Sequence, residues 1–214
     1  NGCTAYSFIS SSVSVSPLPS PTFIFEPSGT YCLNETVTYT TQSGRSNYSW
    51  SLSGIQGTDY TITSGSISTN SVSIAWLTSG SKTVTVNYEN ASGCASPSPA
   101  SNTIDVYPLP IPAFITEPTG TICVGQEVTY STQSDIDIID YDWTISGIEG
   151  VDYSITAGGS DHTISIVWLT DGQKTISVNY ENSNGCGGAL SAISTIDVHP
   201  LPIPTFTSEP SNPV

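Results

Sequence analysis

The chain has 214 residues, of which 18 are acidic and 3 basic, for a formal net charge of −15 at pH 7. So acidic a balance excludes nucleic acid as a partner, because phosphate binding needs a basic face, and it argues against electrostatic docking to anionic membranes. The 18 Gly and 15 Pro punctuate a sequence rich in Ser, Thr, Val, Ile and Tyr, a composition of short strands and turns, and no run of 18 apolar residues offers direct membrane insertion.

Taken in chain order, residues 1–16 are predicted to be the last strand of a truncated preceding module. Gly2-Cys3 lies 14 residues before Pro17, as Cys94 lies 14 before Pro108 and Cys186 lies 14 before Pro200. The segment Pro17-Leu18-Pro19-Ser20-Pro21 returns as Pro108-Leu109-Pro110-Ile111-Pro112 and as Pro200-Leu201-Pro202-Ile203-Pro204, after 91 and then 92 residues. Two complete modules follow from this frame, at 17–107 and 108–199, with 200–214 the start of a following one; the sequence reads as a stretch of a longer chain. The Pro-rich joints are expected to be extended and semi-stiff linkers.

Within the first module, seven runs alternate apolar and polar residues with the period of a strand. Their inward positions are read as Phe23 and Phe25; Val37 and Tyr39; Tyr48, Trp50 and Leu52; Tyr60 and Ile62; Val72, Ile74 and Trp76; Val84, Val86 and Tyr88; Ile104 and Val106. The second copy repeats them from Val128 and Tyr130 through Tyr141-Trp143-Ile145, Tyr153 and Ile155, Ile164-Ile166-Trp168 and Ile176-Val178-Tyr180 to Ile196 and Val198. One apolar and one Ser/Thr face per strand predicts antiparallel sheets wet on one side, hence an all-β fold of tandem immunoglobulin-like β-sandwich modules.

Cys32 with Cys94, and Cys123 with Cys186, recur as a pair in each module, which predicts two intramodule disulfides and an extracellular setting. Cys3 is then the odd cysteine, with its partner expected in the module upstream.

These residues resemble a known family, the PKD-like, immunoglobulin-type repeats of very large surface adhesins of gliding Bacteroidetes, of the SprB type. The resemblance covers the whole chain. It is carried by Tyr48-Ser49-Trp50 and Tyr141-Asp142-Trp143, by the stretch from Trp76-Leu77-Thr78 through Lys82 to Asn87-Tyr88 with its second copy, by the Asn-Gly-Cys ends and by the Pro-Leu-Pro-x-Pro joints. It implies a cell-surface filament exported by the type IX secretion route. Where ordinary PKD domains have a Gly-Asp-Gly turn after the first module tryptophan, this sequence has Ser51-Leu52-Ser53-Gly54, so no role of that turn carries over.

Candidate chemistry is sparse. His162 and His199 are the only histidines and occupy unlike positions, so no nucleophile–histidine site can recur per module, and no catalytic or cofactor-binding residue is assigned. Asp135, Asp137, Asp140 and Asp142 crowd one segment of the second module, where an exposed acidic loop is the preferred reading and a private calcium site the alternative. Asp59, Glu89 and Asp105 recur as Asp152, Glu181 and Asp197, and turn chemistry is preferred to a calcium joint between modules. Lys82 and Lys174 each open a strand, which also fits a Lys–Asn cross-link if a buried acid stands beside the pair. Trp76 and Trp168 are read as core residues, with presentation of a ring to sugars as the alternative.

The function expected on these grounds is a non-enzymatic structural and adhesive repeat. It belongs to a large bacterial surface adhesin for gliding motility and attachment, with neighbouring modules of its own chain as expected partners and surface polysaccharide as a further candidate. Two alternatives stay open: a carbohydrate-binding accessory module of a secreted enzyme, and a filament subunit that exchanges an edge strand, such as residues 1–16, with a neighbour.

Overall fold

A computed structural model describes Gly2 and residues 10–207. Asn1 and residues 3–9, which include Cys3 and half of the predicted 1–16 strand, and residues 208–214 lie outside the described residues. The chain divides between Val106 and Tyr107 into two compact units, and each is an all-β sandwich of two four-stranded sheets.

In the first unit, β1 (Phe23–Phe25), β3 (Thr36–Thr41), β6 (Ser71–Trp76) and β5 (Tyr60–Gly65) form one sheet in that order. The facing sheet is β2 (Thr30–Cys32), β8 (Ala100–Tyr107), β7 (Gly80–Glu89) and β4 (Ser46–Leu52). The second unit repeats the plan, with β9 (Phe114–Thr116), β11 (Glu127–Thr132), β14 (Thr163–Trp168) and β13 (Tyr153–Gly158) against β10 (Ile122–Cys123), β16 (Ala192–His199), β15 (Gly172–Asn182) and β12 (Ile138–Ile145).

Strict alternation sets the register. Along β7, Lys82, Val84, Val86 and Tyr88 are buried while the Thr and Asn between them are only half-buried, and Trp50 of β4 stands opposite Val86. The first core closes around Val37, Tyr39, Trp50, Val72, Ile74, Trp76, Val84 and Val86, with Phe23 packed against it. Its counterpart is built on Val128, Tyr130, Ile164, Ile166, Trp168 and Ile176. Burying each Val, Ile or larger side chain is worth about 1.5–3 kcal/mol, so these stripes dominate the stability of each sandwich.

Two residues expected inward are not. Phe25 is 58% exposed and Ile155 36% exposed. For Phe25 the ladder against β3 shifts register between Phe23 and Phe25, and a β-bulge interrupts the two-residue period; Ile155 stays in register opposite Ile166, on the edge strand β13 just before that strand's own shift.

The seven predicted runs are all present, and the structure adds one short strand per unit, β2 or β10. After β1 the chain crosses from the first sheet to the second. There β10 pairs in parallel with the end of β16, Ile122 opposite Val198 and Cys123 opposite His199. β2 lies beside β8.

That crossing overturns the predicted disulfides. Cys94 and Cys123 are free thiols, whereas Cys32 and Cys186 are disulfide-bonded, so neither Cys32–Cys94 nor Cys123–Cys186 forms. The reason is length along the sheet. Cys123 lies at the end where Gly172 opens β15 opposite Val198, and Cys186 lies beyond Asn182 at the other end, where it accepts the Asn182 N–H. Ten residues of strand at about 3.3 Å each put the two about 33 Å apart, against the roughly 7 Å between Cα atoms that a disulfide can bridge.

Candidate functional site

The most developed polar arrangement recurs in both units, at the end of β6 and β14. In the first, the tight turn before β5 places Asp59 so that its carboxylate accepts the Ile55 N–H (2.8 Å) and the Thr78 hydroxyl (3.1 Å). Thr78 in turn accepts from the Lys82 ammonium at 2.7 Å, and that ammonium sits 5.6 Å from the centroid of the Trp76 ring. The second unit has Asp152 on the Ile148 N–H (2.9 Å) and Thr170 (3.0 Å), Lys174 on Thr170 (2.6 Å), and Lys174 at 5.9 Å over Trp168. There the ammonium also comes within 3.9 Å of the Asp152 carboxylate.

The backbone N–H bond, then the threonine hydroxyl, with the lysine charge adding less, hold the Asp59 and Asp152 carboxyls below the ordinary aspartate value. Both lysines are 8% exposed. A charge so enclosed persists because it is hydrogen-bonded, faces a carboxylate and lies on an aromatic face. Asp59 and Asp152 are therefore turn-capping groups tied into a clamp. What faces each lysine is a threonine hydroxyl backed by an aspartate, so the asparagine partner that a Lys–Asn cross-link requires is not what stands there.

Trp76 and Trp168 are 1% and 0% exposed, packed edge-on against Tyr60 and Tyr153 at ring distances of 5.7 and 6.1 Å. They are core residues, and neither can offer a ring to a sugar. Their indole N–H groups have no hydrogen-bond partner. Trp50 Nε1, by contrast, donates to Thr69 O at 2.7 Å, and Trp143 Nε1 to Asp161 O at 2.9 Å.

A second repeated arrangement fastens the leading segment of each unit. Asn90 Nδ2 donates to Pro17 O (2.8 Å) and the Tyr88 hydroxyl to Ser20 O (3.1 Å). Asn182 and Tyr180 do the same to Pro108 O and Ile111 O, both at 3.2 Å. The same asparagines hold the turn cysteines, since Asn90 Oδ1 accepts the Cys94 N–H and Asn182 Oδ1 the Cys186 N–H, each at 3.0 Å. This explains the repeated Asn-Tyr-Glu-Asn run, which sequence alone marks without revealing its use.

The four aspartates of the calcium alternative do not converge. Asp135 and Asp137 lie in the exposed loop before β12, where their carbonyls accept the Ile138 and Ser183 N–H groups, and Asp140 and Asp142 project from the outer face of β12. Among the described residues, no group of three His, Cys, Asp or Glu side chains is placed to hold a metal ion. His162 stands near Tyr141, with ring centroids 6.5 Å apart, and His199 ends β16 exposed, so the two histidines share no site.

The PKD-like domain family matches the sequence twice, over residues 17–104 and 108–196. The chain belongs to the PKD-like domain family. No curated protein matches the sequence. Among solved structures, a titin I-band fragment, I67–I69, is 17% identical, covering 84% of this chain and 66% of that one, with a TM-score of 0.44. The Escherichia coli adhesin FdeC is 16% identical over 84% of this chain and 63% of its own, TM-score 0.38. The fibronectin(III)-like modules of Clostridium thermocellum CbhA are 13% identical over 89% and 100%, TM-score 0.37. The PKD-like pair described here thus spans under two thirds of the adhesin's own length.

Proposed function

We propose that this PKD-like pair is a non-catalytic spacer of an extracellular, cell-surface adhesin filament, built to transmit tension along the chain. The observation that carries the reading is the parallel pairing of β10 with β16. β10 lies near the start of its module and β16 at its end, so force applied through the chain runs along both strands. Their ladder bonds, which run across the strands at a slant, would then be loaded in shear and break together rather than one at a time.

The buried Lys–Thr–Asp clamp adds to this, because it ties the turn before β5 or β13 to the start of β7 or β15 in the other sheet. Disulfide-bonded Cys32 and Cys186 support an oxidising, extracellular location. The family resemblance extends the proposal to gliding motility, surface attachment and type IX export, with neighbouring modules as the constant partners and surface polysaccharide as a partner of the filament. With Trp76 and Trp168 buried, the carbohydrate-binding alternative loses the residues that motivated it.

Single-molecule pulling tests the reading. Two separate, abrupt unfolding events at high force are expected, and only the one belonging to the second unit is lowered when Ile122 or Val198 is replaced by proline. Gradual extension at low force, unchanged by those substitutions, would remove the mechanical role. A glycan array probed with the intact chain gives the competing readout, and sugar binding by the modules would favour the accessory-module reading instead.

A further inference from the structure

We propose that Cys94 and Cys123 are unlike halves of an intermodular disulfide: each module offers a turn cysteine at its N-terminal end and a strand cysteine at its C-terminal end, and each pairs with the opposite kind on another copy of the module. The inference concerns covalent chemistry and does not depend on adhesion or tension.

Position comes first. The turn cysteines are held by Asn90 and Asn182, the same side chains that hold Pro17 and Pro108 where the chain enters each module. The strand cysteine Cys123 stands opposite His199, the residue before Pro200, where the chain leaves. About 33 Å of sheet separates the two kinds within one module, so they cannot satisfy each other.

Bonding state is the second, independent observation. Cys32, a strand cysteine, and Cys186, a turn cysteine, are disulfide-bonded. Their repeat equivalents Cys123 and Cys94 are free and half-buried. Each kind of position is therefore seen once bonded and once open, in the same local setting. The strand cysteines have N–H groups held by Glu35 (3.1 Å) or Gln126 (3.3 Å), and the turn cysteines are capped by asparagine. The open thiols are one of each kind, a turn thiol where the chain enters a module and a strand thiol where it leaves one, so head-to-tail addition of another module brings unlike thiols together.

The step is thiol–disulfide exchange with a small disulfide oxidant. One thiolate attacks the oxidant's S–S bond and expels a thiolate. The second cysteine thiolate then attacks the mixed disulfide and expels the other half. One protein S–S bond forms, the oxidant's S–S bond is broken, and the two cysteine thiol protons end on the expelled thiolates, so that the oxidant leaves as two thiols.

The test uses the full chain with Cys3→Ser, so that Cys3 takes no part and the free thiols are Cys94 and Cys123. Cys94→Ser and Cys123→Ser are made separately on that background, and both are expected to keep the parent's thermal midpoint because neither thiol is bonded. In a buffer of oxidised and reduced glutathione, the parent is expected to form linked chains whose interchain peptide joins Cys94 to Cys123. Mixing the two variants should give the heterodimer in several-fold excess over either homodimer. Homodimers at the statistical ratio, glutathione adducts without chain–chain linkage, or a mapped Cys32–Cys94 or Cys123–Cys186 peptide would each overturn the proposal.

Discussion

Asp59 and Asp152 hold their turns only while ionised, and the sign of their pH effect follows from the direction of the shift. Each folded carboxyl lies below the ordinary value of 3.8. The stability it contributes is therefore complete above that pH and is lost as the pH falls through the lower folded value. A double variant, Asp59→Asn with Asp152→Asn, is expected to melt below the parent at neutral pH, and the gap should close once the pH drops beneath 3.8. A gap that stays constant across the acid range would assign the loss to packing instead. Trp76 makes a different residue-scale prediction. Trp76→Ala should cost its module about 3–5 kcal/mol by denaturant titration, as large aromatic truncations in a closed core do. Trp76→Phe should cost much less, because it removes an indole N–H that has no partner while keeping most of the ring contacts.

The strands owe their ends to a few glycines, and two kinds of position separate cleanly. Gly65 and Gly158 end β5 and β13 at φ of 73° and 72°, and a Cβ there would run into the carbonyl of Ser71 or Thr163 on the neighbouring strand. Gly80 and Gly172 open β7 and β15 at φ of 101° and 97°, where a Cβ would meet open space. Gly80→Ala is thus expected to cost only the conformational strain, about 1–2 kcal/mol. Gly65→Ala should cost clearly more, since the clash is with backbone that cannot step aside; equal urea midpoints for the two variants would contradict this. These elements also mark how far the sequence could be read. The long strands were legible because Val84-Thr85-Val86-Asn87-Tyr88 and its relatives repeat in–out without a break, and Trp76 announced itself as core by staying in phase with Ile74. Phe25 misled because a bulge is a backbone event that leaves alternation in the letters intact, and Ile155 because alternation does not reveal that β13 lies at a sheet edge. β2 and β10, at three and two residues, are too short to show any period, yet they carry Cys32 and Cys123 to the opposite end of the module from Cys94 and Cys186. Cysteine counting without that crossing inevitably paired the wrong residues.

At the scale of the whole molecule, the decisive fact is where the three cations went. Lys82 and Lys174 lie over Trp76 and Trp168, and Arg45 lies 5.5 Å from the Tyr88 ring centroid, so every basic side chain is engaged with an aromatic face. The sign of the net charge was plain in the sequence; that its few counter-charges are spent on rings needed the fold. The many outward carboxylates are left to repel one another, with water and counterions as their main company, and the balance of −15 keeps chains apart at neutral pH. Light scattering should accordingly find no non-covalent association at pH 7 and low salt. Scattering should rise steeply as the pH approaches the sequence pI of about 4.1, and fall again on return to neutral. Salt added at pH 7 screens the same repulsion over about 10 Å at 0.1 M, and should raise the yield of the Cys94–Cys123 linkage by letting like-charged modules approach. A yield that falls with salt would mean that attraction between opposite charges, not the removal of repulsion, brings the modules together, which the placement of Lys82, Lys174 and Arg45 argues against.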